Sequence, residues 1–126
     1  MATYVNTSQR QQTFQWNGYT IIDDTYNAGP EPTEAALRVL GDTSGTGDRF
    51  KRIAVLGDML ELGNHASAEH HRIGRVAVYK ADLLLTFGPL SEKTVLGAIT
   101  GGLSQRNAMN FESQQELLNV LRSRAK

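Results

Sequence analysis

Ile53-Ala54-Val55-Leu56, preceded by Lys51-Arg52 and followed by Gly57, is a short apolar run without polar alternation. Such a run reads as a strand buried on both faces, because a strand with one wet face would alternate. Leu83-Leu84-Leu85-Thr86-Phe87 repeats the pattern and ends at Gly88-Pro89. Between the two, Ser67 to Lys80 has helical spacing, with Ile73, Val76 and Ala77 on the inward side. A buried strand, a helix and a second buried strand make a crossover, which places the strands parallel with helices on the sheet faces.

Upstream, Gln11 to Trp16 and Tyr19-Thr20-Ile21-Ile22 flank Asn17-Gly18, a dipeptide that accepts the positive φ angles of a two-residue hairpin turn. Asp23 to Glu31 reads as a loop, with Asn27-Ala28-Gly29-Pro30 as its turn signal. A helix follows, with Pro32 near its first turn, Ala36, Leu37 and Leu40 as its apolar stripe, and Gly41 suited to the position just past its end. Asp42 to Asp48 reads as a surface connection. Downstream, Ser91 to Ile99 reads as a helix closed by Gly101-Gly102, and Ala108 to Phe111 as a weak strand. Ser113-Gln114-Gln115-Glu116 is a capping-box pattern opening a last helix whose apolar face is Leu117, Leu118 and Leu121. The order is a hairpin and then α-β-α-β-α-β-α. It predicts a Rossmann-like α/β domain: three layers and a mostly parallel sheet with an N-terminal β-hairpin. Ligands of such sheets bind at the carboxyl ends of the strands, which here lead into Asp23–Pro30, Gly57–Gly63 and Gly88–Ser91.

The 126 residues suffice for one domain. Thirteen basic residues balance thirteen acidic ones, which argues against a general field for nucleic acid or an anionic membrane. The absence of cysteine removes disulfides and thiolate zinc sites. No apolar run reaches the roughly 18 residues that a membrane span needs, and Met1-Ala2-Thr3-Tyr4 lacks the marks of a secretory signal. The final helical segment, Leu117 to Lys126, has no stop signal, so the chain is expected to be part of something larger.

Several chemistries fail on spacing. His65, His70 and His71 form no His-Glu-x-x-His, and adjacent helical histidines diverge by about 100°, so a metal site is not expected; a buried, hydrogen-bonded His71 is. Gly41 to Arg49 has three glycines but no Gly-Lys-Ser/Thr ending, and so is no P-loop. A phospho-receiver reading of Asp23, Asp24 and Asp58 lacks the lysine it needs near Asn107–Glu112. Asp24 could accept hydrogen bonds from ribose hydroxyls or cap the next segment, and Asp58 could bind a ligand or start a helix. Met59, Leu60 and Leu62 are too apolar for an ordinary solvated loop, and suit either packing beneath a helix or facing a partner domain.

Three segments read together are more specific. Asp23-Asp24-Thr25-Tyr26-Asn27-Ala28-Gly29-Pro30 resembles the Asp-Asp-x-Tyr-Asn-Ala-Asn-Pro signature of MurF-type ligases of the Mur ligase family. Gly57-Asp58-Met59-Leu60-Glu61-Leu62-Gly63 resembles that family's Gly-Asp-Met-x-Glu-Leu-Gly segment, and His71, ahead of Ile73-Gly74, is matched to its His-x-x-Val/Ile-Gly. Gly29 stands for the second Asn of the signature, and Pro32 for a usual serine.

The resemblance implies a single Mur ligase C-terminal domain over 1–126, with an N-terminal domain and a central ATPase domain belonging to the parent polypeptide. The family's final strand and helix, with a Lys-Gly-Ser-Arg segment, are expected to be missing. The implied activity is ATP-dependent joining of D-Ala-D-Ala to UDP-N-acetylmuramoyl-tripeptide in cytoplasmic peptidoglycan synthesis. Its P-loop, Mg2+ ligands and carbamylated lysine lie in the central domain, so no catalytic residue and no metal ligand is assigned here. By the same resemblance Asp24 contacts the ATP ribose, Arg10 reaches the phosphates, and Tyr26 and Asn27 shape the cleft loop. Gly88 and Ser91 bound the loop on the acceptor-dipeptide side, while Gly57, Asp58, Glu61 and His71 are motif residues of structural role. The alternatives are a free-standing nucleotide-binding module and a protein-interaction domain using Met59, Leu60 and Leu62.

Overall fold

The computed structural model describes residues 12–16, 19–24, 29–42, 52–60 and 62–124. The elements are β1 (Gln12–Trp16), β2 (Tyr19–Asp24), α1 (Pro30–Asp42), β3 (Arg52–Leu56), α2 (Ala66–Ala77), β4 (Leu83–Phe87), α3 (Glu92–Thr100), β5 (Ala108–Phe111) and α4 (Gln114–Arg124). Short 3-10 turns at Gly63–His65 and Gln105–Asn107 precede α2 and β5. The sheet order is β1-β2-β3-β4-β5. β1 pairs antiparallel with β2, from Gln12↔Asp23 to Trp16↔Tyr19, which is the expected hairpin; Asn17-Gly18 lies outside the described residues. The other three pairings are parallel.

Alternation along the central strands builds two cores. Ile22, Ala54, Leu56 and Leu84 face Leu37 and Leu40 of α1, Ile73 and Ala77 of α2, and Val95 and Ala98 of α3. Ile21, Ile53, Val55, Leu83 and Leu85 face the opposite way, where Leu117 of α4 completes the cluster. Successive strand residues point to opposite faces, which is why these runs are apolar throughout. Strands laid down in sequential order by crossovers of one hand leave their helices on one side, and α1, α2 and α3 share one face. The last helix, α4, takes the other.

Helix bounds shift from the sequence reading for local reasons. α1 begins at Pro30, whose fixed φ and missing N–H suit a first helical position. Pro32 also falls in the first turn, and the hydroxyl of Thr33 donates to the carbonyl of Gly29 at 2.9 Å. Gly41 lies within α1 and not beyond it. A Cβ there would crowd the Lys80 side chain, and its carbonyl accepts from the Arg52 guanidinium. Arg52 also pairs with Asp82 at 3.4 Å, tying the starts of β3 and β4 to the end of α1. On α4 the buried stripe is Leu117 with Val120 and Leu121, while Leu118, expected inward, is 39% exposed. Positions 117, 120, 121 and 124 share a helical face and 118 does not. Ser113 caps this helix as its pattern requires, its hydroxyl accepting from the Glu116 N–H.

The closest helix approach is the α2–α3 crossing. A Cβ on Gly74 would strike the carbonyl oxygen of Thr94 and lie 2.8 Å from the nitrogen of Ala98. A Cβ on Gly97 would strike the carbonyl of His71. The two helices meet backbone to backbone through this glycine pair, a contact that no larger residue permits.

Candidate functional site

In the parallel register Asp24 pairs with Leu56, Leu56 with Thr86, and Thr86 with Asn110. The loops after β2, β3, β4 and β5 therefore leave the sheet along one edge. Gln12, opposite Asp23, stands at the same edge. Among the described strands the order never reverses, so this edge lacks the crevice that forms where two halves of a sheet diverge. It is an open rim, suited to closing against a second surface.

The backbone of Asp24 ends β2 at this rim. Arg10, Tyr26, Asn27 and Glu61 lie outside the described residues. Gly57 is buried where β3 turns outward. Asp58, next in the chain, reaches across to the start of α3. Its Oδ1 accepts from the Ser91 N–H at 2.8 Å and from the Ser91 hydroxyl at 2.7 Å, and its Oδ2 from the Leu90 N–H at 3.2 Å. Asp58 thus does sit at a helix start, but of a helix more than thirty residues away. A carboxylate there meets both unpaired N–H groups and the positive end of the helix dipole. Ser91 is fully buried, so its hydroxyl supports the loop from beneath and does not face outward.

Gly88 has φ +115, and a Cβ on it would lie 2.5 Å from Cγ of Asp58. Glycine is needed there for conformation and for space. From the other side Asn110 holds the same loop: its Nδ2 donates to the Gly88 carbonyl at 3.2 Å, while its Oδ1 accepts from the buried Thr86 hydroxyl at 2.6 Å. The sequence reading missed Thr86 and Asn110. The signal available was polar residues on adjacent strands, at positions that turn out to be register partners.

The buried histidine is His70, not His71. His70 is 0% exposed; His71 is half-buried. Nε2 of His70 accepts from the Met59 N–H at 2.9 Å, which leaves the proton on Nδ1 to donate to the Ala66 carbonyl. Counting His-x-x-Ile-Gly back from Ile73 also gives His70. This ring anchors the segment after β3 to α2, so that Met59 is buried and Leu62 packs against the same core. Leu60 points outward, 59% exposed. His70→Phe should lower the unfolding free energy by about 2 kcal/mol by stranding a buried N–H. His71→Ala should cost less than about 1 kcal/mol. Urea midpoints of the two variants check this ordering.

Among the described residues no cluster of three His, Cys, Asp or Glu side chains could hold a metal ion. No described helix is long and apolar enough to cross a membrane.

The family profile described as "Mur ligase, glutamate ligase domain" matches residues 9–126. The chain belongs to the Mur ligase family. Among its relatives, the UDP-N-acetylmuramoyl-tripeptide--D-alanyl-D-alanine ligase of Bacillus subtilis is 33% identical over 110 residues, covering 86% of this chain and 23% of that protein. The ligase of the same name from Mycobacterium tuberculosis H37Rv is 45% identical over 75 residues, or 59% of this chain and 15% of that protein. A crystal structure of MurF from Acinetobacter baumannii superposes with a TM-score of 0.66 at 29% identity, covering 91% of this chain and 24% of the other. The chain thus spans a quarter or less of the length of these relatives. Its fold is that of the Mur ligase segment it matches, and the rim carries the Asp-Asp and Gly-Asp-Met segments side by side, on neighbouring strands.

Proposed function

We propose that this chain is the C-terminal domain of an ATP-dependent ligase that joins D-Ala-D-Ala to UDP-N-acetylmuramoyl-tripeptide in cytoplasmic peptidoglycan synthesis. The observation that carries the proposal is the match over 86% of the chain to a ligase of that name, together with the placement of both motif segments on one open rim. In the reaction, the tripeptide carboxylate attacks the γ-phosphate of ATP and gives an acyl-phosphate and ADP. The dipeptide amine then displaces phosphate to form the amide and releases a proton. ATP and Mg2+ are handled mainly by a central ATPase domain of the parent polypeptide. The rim closes on that domain, excludes water from the hydrolysable acyl-phosphate and aligns the amine.

Within this reading Asp24 binds the ATP ribose, Arg10 meets the phosphates with a guanidinium fork suited to phosphoryl oxygens, and Tyr26 and Asn27 shape the loop between them. The Gly88–Ser91 loop lies on the dipeptide side. The test is Asp24→Ala in the full-length ligase that carries this domain. The KM for ATP should rise about tenfold, as loss of a charged hydrogen bond implies, with the KM for the UDP-linked substrate unchanged. Unaltered steady-state kinetics for ATP would remove the ribose assignment. The 126-residue chain alone should give no ATP-dependent amide, and product formation by it, followed by mass spectrometry, would refute the division of labour.

A further inference from the structure

The hydrogen bonds of the Gly88–Ser91 loop determine which end of an acceptor it can read. The Gly88 N–H donates to the Phe111 carbonyl at 3.1 Å. Pro89 has no N–H to give. The N–H groups of Leu90 and Ser91, and the Ser91 hydroxyl, all donate to Asp58. Every donor of the loop is therefore spent inside the domain. Among its acceptors, the Gly88 carbonyl takes the Asn110 amide, the Leu90 carbonyl the Lys93 N–H at 3.1 Å, and the Ser91 carbonyl the Val95 N–H at 3.2 Å. The carbonyl of exposed Pro89 accepts nothing from the described residues.

An anion needs donors, and this loop has none left; an ammonium or amine needs acceptors, and the loop offers one at its tip. We propose that the loop contacts the amine end of the incoming dipeptide through the Pro89 carbonyl, and that the dipeptide's carboxylate is bound elsewhere. Asp58 and Asn110 are positioning residues for that contact. One grips the loop's donors and the other its Gly88 carbonyl, so the tip is held in a single arrangement before substrate arrives. This inference rests on the reading that the loop is on the dipeptide side, and adds to it the polarity of the contact.

The test is steady-state kinetics of the full-length ligase with two acceptors, D-Ala-D-Ala and its C-terminal amide, in the wild type and in Asn110→Ala and Asp58→Asn. The expected result is a several-fold rise in KM for both acceptors by the same factor, with the KM for ATP unchanged. The acid-to-amide ratio of kcat/KM should then stay at its wild-type value. A ratio that falls toward one in the variants would mean the loop grips the carboxylate, and would overturn the inference while keeping the loop at the acceptor. Acceptor KM values that do not move in either variant would instead overturn the loop's placement on the dipeptide side. Asn110→Ala removes one hydrogen bond beside a half-buried strand, and a thermal melt within a few degrees of wild type identifies it as folded when the kinetics are read.

Discussion

Gly97→Ala and Gly74→Ala should each remove about 3 kcal/mol or more of folding free energy. In a solvated helix the change from glycine to alanine is favourable by about 1 kcal/mol, so the expected sign is opposite to the propensity. The reason is space. At either position the new methyl would overlap a carbonyl of the facing helix, His71 for Gly97 and Thr94 for Gly74. Backbone cannot swing aside as a side chain can, so α2 and α3 must separate. That separation opens the core where Ile73, Ala77, Val95 and Ala98 meet. Overpacking of a tight interior costs about 1–3 kcal/mol and sometimes more, and here the lost helix contact adds to it. Against a total of about 5–15 kcal/mol for a domain, the midpoint of thermal unfolding should fall by about 10 °C or more. Gly29→Ala is the control. A Cβ there meets only Cδ of Pro32, at 3.8 Å, and its effect should stay within about 0.5 kcal/mol. Calorimetry on the three variants decides the matter, and a neutral Gly97→Ala would refute the backbone contact.

Asp58→Ala should be the most damaging single change at the rim. It strands two N–H groups and a fully buried hydroxyl at once. Bonds to a charged acceptor are worth about 1.5–3 kcal/mol each and are not additive. A loss of about 3–4 kcal/mol is expected for the alanine, since water can relieve the more open Leu90 N–H. Asp58→Asn should lose only about 1–2 kcal/mol. Its single oxygen can still serve the two Ser91 donors, while its NH2 group confronts the Leu90 N–H. Chemical denaturation of both variants measures the gap. Equal losses would mean that the carboxylate's charge and second oxygen contribute nothing, against the capping role described for the start of α3.

Much of this architecture was legible in the sequence, and the exceptions share a cause. The strands around Ile53–Leu56 and Leu83–Leu85 were readable because burial on both faces leaves no polar residue to confuse the pattern. The motif segments gave the family for the same reason that they gave the rim: both sit where β2 and β3 end. What escaped was any property set by a partner distant in the chain. Leu118 and Leu121 look alike in sequence, and only the angle of α4 on the sheet exposes one. His70 and His71 are neighbours, and the Met59 N–H eleven residues back selects between them. Asp58 carries a capping residue's chemistry, but the helix it caps begins beyond the next strand. Asn110 lies in a half-exposed edge strand, where the pattern is weakest and where its amide is needed.

The strand order β1 to β5 matches the order of synthesis. A sheet arranged in this way grows from one border only. Each unit leaving the ribosome finds its neighbour already made, and no slot waits for a piece translated later. Vectorial assembly of this kind keeps an unfinished chain to a single open margin at any moment, which limits the time during which a nascent strand can pair with a stranger.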